Sequence, residues 1–155
     1  YYMLINHFLK VDNTIVQPKS NGYIYPKRRR MIFGTVINCM DGRVQYPVLE
    51  YLIKHFQVDF VDSLTEAGPL KLLSERTDSC RMNTLREQML VSLEKHDSRL
   101  IAVAGHHDCA GNPADRKTQE RQIREVLDYL KKAYGEEIHY VGLYVNENWE
   151  VEEVK

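Results

Sequence analysis

Four short apolar runs rich in β-branched residues recur along the chain, and stretches with helical periodicity separate them. This alternation constrains the fold more than any other feature. Met31 to Asn38 (MIFGTVIN) is nearly continuous in apolar side chains, as expected of a parallel strand buried on both faces. Further runs follow at Val58 to Asp62, Arg99 to Ala104 and Glu137 to Val145. Between them, Tyr46 to Gln57 carries Val48, Leu52 and Phe56 at four-residue spacing, with Pro47 suited to a first turn. Arg81 to His96 repeats the spacing with Leu85, Met89 and Leu93. Arg116 to Tyr134 places Ile123, Leu127 and Leu130 inward and is closed by Gly135. Thr65 to Pro69 and Gly111 to Pro113 read as loops by their Gly and Pro content, and the Trp149 tail has no clear pattern.

The order β-α-β-α-β-α-β predicts an α/β fold: an open, mostly parallel sheet of about four to five strands with helices on both faces. Ligands of such sheets bind beyond the carboxyl ends of the strands. The 155 residues suffice for one domain with a real core. Residues 31–155 form that domain. Residues 1–30 are irregular, with Pro18, Gly22 and Pro26 as breaks, and read as an N-terminal arm that wraps the core or a partner subunit.

The formal net charge of −1 gives no reason to expect nucleic acid or a membrane surface as partner. The basic run Lys27 to Arg30 reads as a solvated turn or an oligomer contact. No apolar stretch reaches the length of a bilayer span, and the first ten residues lack a basic leader and a small-residue cleavage site. Three widely spaced cysteines do not make a disulfide framework, so a reducing cytoplasm is the expected compartment.

Two of those cysteines fall at predicted strand ends. Cys39 closes the first strand, and Cys109 follows the third by a few residues, just after His106. Alone, either cysteine reads as a small buried hydrophobe. Two parallel strands that deliver Cys, His and Cys to one sheet edge read instead as a metal site. Two thiolates and an imidazole suit Zn²⁺, and three protein ligands leave the open fourth position typical of catalytic zinc. Cys80, in a polar loop, is read as having no metal role. His107 is read as a surface or proton-relay residue, and Asp108 as a cap of the following turn or helix.

The flanking residues sharpen this. Cys39-Met40-Asp41-Gly42-Arg43 is a Cys-x-Asp-x-Arg motif, and His106-His107-Asp108-Cys109 is a His-x-x-Cys motif. Together they resemble the zinc signature of the β-class carbonic anhydrases, with Thr65 to Pro69 where that family carries an Arg-Asn-Ala-Gly loop. The similarity covers roughly residues 31–145. It implies that Cys39, His106 and Cys109 bind one Zn²⁺. It also implies that Asp41 and Arg43 form a dyad, with Arg43 keeping Asp41 ionised and oriented. The implied activity is reversible hydration of carbon dioxide to bicarbonate by a metal-bound hydroxide, in a homodimer or higher homo-oligomer. Two alternatives stand beside it: hydrolysis of carbonyl sulfide or carbon disulfide at the same site, and a zinc-binding relative without turnover. The sequence departs from the family at Thr65-Glu66, where a carboxylate could repel bicarbonate or alter proton transfer, and at Ala110, where glycine is usual.

Overall fold

In the computed structural model, which describes residues 31–155, five strands form one sheet in the order β2-β1-β3-β4-β5. The elements along the chain are β1 (Phe33–Cys39), α1 (Gly42–Phe56), β2 (Phe60–Glu66), α2 (Pro69–Glu75), α3 (Ser79–Lys95), β3 (Leu100–His106), α4 (Arg116–Tyr134), β4 (His139–Val145) and β5 (Val151–Val154). The first four strands pair in parallel, and β5 pairs antiparallel with β4. The strands at the centre, β1 and β3, are the most deeply buried, which is why their sequences are nearly uninterrupted apolar runs.

Helix α1 covers one face, setting Val44, Val48 and Leu52 against Val36, Ala102, Leu143 and Val145. Helices α2, α3 and α4 cover the other, where Leu70, Leu85, Met89 and Ile123 meet Ile37, Ile101 and Val103. The one hydroxyl inside β1, Thr35, is fully buried and satisfied: it bonds Ser92 of α3 at 2.6 Å and Ser98 at 2.8 Å. The predicted class, a mostly parallel sheet clothed on both faces, is the class observed.

Several boundaries differ from the sequence-based expectation. Helix α1 begins at Gly42 rather than near Tyr46, because the Asp41 carboxylate accepts from the Arg43 amide and caps it. Pro47 therefore lies inside the helix, where its missing N–H leaves the Arg43 carbonyl without the usual partner four residues on. Strand β2 continues to Glu66, and β3 runs on through Gly105 to His106. The segment read as a Gly-Pro loop contains a helix start: Gly68 caps α2 with φ 62°, and Pro69 occupies its first turn. Seven residues are too few for periodicity to reveal α2, although Leu70, Leu72 and Leu73 are all buried. Strand β5, hidden in the Trp149 tail, exists through its pairing with β4. The N-terminal arm expected over residues 1–30 lies outside the described residues.

The loops after β2 and β3 touch backbone to backbone. A Cβ on Gly111 would stand 2.5 Å from the Gly68 nitrogen and 2.6 Å from the Ala67 carbonyl carbon, whereas one on Gly42 would meet nothing within 4 Å. Gly111→Ala is thus expected to destabilise the protein by about 1–3 kcal/mol through overpacking. Gly42→Ala is expected to be neutral or stabilising by about 0.4–1 kcal/mol. Urea unfolding of both variants checks the contrast, and equal stabilities would refute it.

Candidate metal centre

Strands β1 and β3 are neighbours in parallel register, with Thr35 opposite Ile101 and Ile37 opposite Val103. Their carboxyl ends therefore emerge together, and Cys39 and His106 are the last residues of the two strands. Beyond His106 the chain turns sharply through Asp108, at φ 54°, and brings Cys109 back under the strand tips. The two Sγ atoms stand 3.8 Å apart, and the ligand atoms of Cys39, His106 and Cys109 all lie within 4.8 Å of one another. Zinc–sulfur bonds of about 2.3 Å at a tetrahedral angle separate two sulfurs by roughly 3.8 Å, so the spacing fits a shared ion. It is far too long for a disulfide, and both thiols are free.

The donor chemistry fits as well. All three side chains are buried. The Nδ1 atom of His106 lies 2.7 Å from the His107 carbonyl oxygen, to which it donates in the neutral ring. That bond leaves Nε2 as the lone-pair nitrogen, and among the described residues the buried Nε2 has no hydrogen-bond partner. Burial lowers the pKa of His106, which keeps the imidazole neutral and able to ligate. Burial, with Cys39 beside it, pushes the Cys109 thiol up to about 11. Two thiolates cannot share this site without a cation, and a divalent ion is the group that would make them stable there.

The main chain that carries these ligands is fixed by amides the sequence reading did not single out. Gln119, buried on α4, accepts from the His106 amide at 3.1 Å and donates to the His106 carbonyl at 2.9 Å. Gly105 lets it come close, since a Cβ there would fall 2.8 Å from the Gln119 oxygen. On α1, Gln45 donates to the Cys39 carbonyl at 2.7 Å and to the Asp41 carbonyl at 2.9 Å, holding the corner between strand and helix.

Asp41 and Arg43 meet as expected. The guanidinium donates from Nη2 to Oδ2 at 2.6 Å and from Nε to both carboxylate oxygens. These bonds, with the Arg43 amide, hold the Asp41 carboxyl down to about 2, so it is ionised. Its carboxylate is not among the atoms that form the metal cluster. Asp108 does not cap the following helix, a role taken by Asp115. It accepts instead from Arg43 Nη1 at 3.1 Å. Glu66, opposite Cys39 across the β1–β2 pair, is not free to repel an anion: Arg81 of α3 grips it at 2.7 Å and also donates to the Ala67 carbonyl. Cys80 is exposed, and it lies in the first turn of α3 rather than in a loop. The small space around the cluster is also lined by Pro69, Leu70, Ala104, Asn112 and Gln119, and it is too tight to admit a water.

A sequence family described as "Putative carbonic anhydrase" matches residues 29–155, which is most of the chain. The chain belongs to this carbonic anhydrase family. Among solved structures it is similar to the carbonic anhydrase of Streptococcus mutans, at 18% identity and a TM-score of 0.52 over 85% of this chain and 86% of that one. It is also similar to a carbonic anhydrase from Glaciozyma antarctica, at 15% identity and a TM-score of 0.49 over 78% of this chain and 81% of that one. The first likeness places this member in the carbonic anhydrase fold, as the two motifs led one to expect. No curated protein matches the chain.

Because Gln119 fixes the backbone of His106 from outside the donor set, Gln119→Leu is expected to weaken zinc binding by about 10–100-fold. Competition with a chromophoric chelator measures this, and an unchanged affinity would show that the clamp is idle.

Proposed function

We propose that the protein is a zinc-dependent carbonic anhydrase that interconverts carbon dioxide and water with bicarbonate and a proton. The observation that carries the reading is the buried, partnerless Nε2 of His106 facing two sulfurs at tetrahedral spacing. Cys39, His106 and Cys109 would hold one Zn²⁺. When bound by three protein groups, zinc is a Lewis acid that brings the ionisation of a coordinated water near neutrality.

The chain's own residues supply the rest. Asp41, ionised, can only accept hydrogen bonds, so it orients an O–H donor beside it and leaves that oxygen's lone pairs free for the substrate carbon. Arg43 keeps Asp41 in that state and direction. With Glu66 neutralised by Arg81, the main reason to prefer a different substrate from the sequence weakens.

Stopped-flow hydration by the zinc-loaded protein tests the reading. Activity well above buffer is expected, with loss by at least about a hundredfold in His106→Ala and Cys109→Ser as the metal is lost. Asp41→Asn is expected to retain zinc and lose about 10²–10³-fold in rate. No rate above buffer would overturn the proposal. Sulfide release from carbonyl sulfide or carbon disulfide without hydration would assign the hydrolase alternative. Zinc binding without any turnover would assign the non-catalytic one.

We further propose a homodimer or higher homo-oligomer to which residues 1–30 contribute as an arm. Met40 and Tyr46, next to the metal centre, are large apolar side chains left exposed in the single chain, at 66% and 70%. Light scattering of the full chain is expected to give at least the dimer mass, and a monomer would reject this. No helix among the described residues is long and apolar enough to cross a membrane. A cytoplasmic location is part of the same proposal.

A further inference from the structure

The C-terminal hairpin reaches back over the metal centre. Strands β4 and β5 are joined by a turn that the buried Asn146 organises. Its Oδ1 accepts from the amides of Asn148 at 2.9 Å and Glu150 at 3.0 Å, and its carbonyl accepts from the Trp149 amide at 3.0 Å. Its Nδ2 donates to Glu152 of β5 at 2.6 Å. Inside this turn Trp149 is held at φ 62°, a left-handed conformation that bulky residues rarely adopt. The strained turn aims the only tryptophan of the chain at one place. Its ring lies 4.6 Å from the Arg43 guanidinium carbon and 5.1 Å from the His107 ring.

Those two contacts join the segments that follow the two strands bearing Cys39 and His106. Arg43 follows β1 and Cys39, while His107 directly follows His106 at the end of β3. Arg43 has need of such a support. Its side chain is 47% exposed, and Asp108, one of its two carboxylate partners, is 66% exposed. Ion pairs so open to water are screened and do not by themselves hold a long side chain still. A guanidinium laid against an aromatic face is restrained over its whole plane and shielded from water on that side.

We propose that Trp149 is a positioning residue: by covering the Arg43 guanidinium it keeps the Arg43–Asp41 pair in one orientation beside Cys39, His106 and Cys109. The kinetic consequence rests on the carbonic anhydrase reading. The stacking itself does not, and the two are tested separately.

Because Trp149 is the sole tryptophan, its emission reports the stack directly in the zinc-loaded full chain. Arg43→Leu is expected to raise acrylamide quenching of that emission about twofold, as the ring loses its cover. Trp149→Phe keeps an aromatic face and is expected to retain most of kcat. Trp149→Leu keeps apolar bulk without that face and is expected to lose kcat about tenfold, with KM within about twofold and zinc content unchanged. Unchanged quenching in Arg43→Leu would overturn the proposal, and so would equal kcat in the Phe and Leu variants. Should Trp149→Leu fail to fold, the quenching comparison still decides. Should the wild-type protein show no hydration, the functional reading fails, and the same quenching result stands for or against the stack.

Discussion

Two thiols and an imidazole nitrogen are buried within 4.8 Å of one another, and the nitrogen has no partner. Burial disfavours the charged form of the Cys109 sulfur and leaves the ring nitrogen without a donor. A divalent cation relieves both problems at once, since it stabilises thiolates and takes up the lone pair. The surrounding structure is arranged so that this cluster forms. Parallel pairing of β1 with β3 brings their tips together, and the left-handed turn at Asp108 returns Cys109 to the same spot. Close contact of Gly68 with Gly111 locks the loops around it.

Several residues serve the fold and the site together. Asp41 caps α1 with one carboxylate oxygen and engages the Arg43 guanidinium with both. A helix start and the proposed dyad thus use the same two residues, and the direction of Asp41 is tied to the axis of α1. Gln119 likewise belongs to the core on α4 while pairing with both backbone groups of His106. Such sharing couples the stability of the fold to the geometry of the centre. It also keeps Cys39 and His106 on rigid strand ends, where small displacements are resisted by packing.

The charged groups of the rim are paired locally. Glu66 is held by Arg81, and Arg43 is held by Asp41 and Asp108 with Trp149 against its face. Read in sequence, Glu66 suggests an acid close to the metal. In the fold its partner is fifteen residues away on α3, and the pair leaves no net charge at that edge. Residue type at one position therefore misjudges the field, because the field is set by neighbours that only packing supplies.

Periodicity and residue chemistry alone are enough to place the central strands and the long helices and to bring Cys39, His106 and Cys109 to one sheet edge, whereas the pairing of Asp41 with Arg43 is implied by the family resemblance. A buried parallel strand must be apolar throughout, an amphipathic helix must repeat near four residues, and soft metal ligands must be sulfur or imidazole. What the tertiary structure decided is of another kind. Helix α2 and strand β5 are too short to show a period and exist through contacts with α4 and β4. Gln119, Arg81 and Trp149 carry no motif. They act by meeting residues that lie 13, 15 and 106 positions away in the chain. Local pattern records only what each segment must do with its own backbone and its nearest neighbours. Contacts between distant segments arise when the layers pack, and much of the support of the Cys39, His106 and Cys109 cluster is built from them.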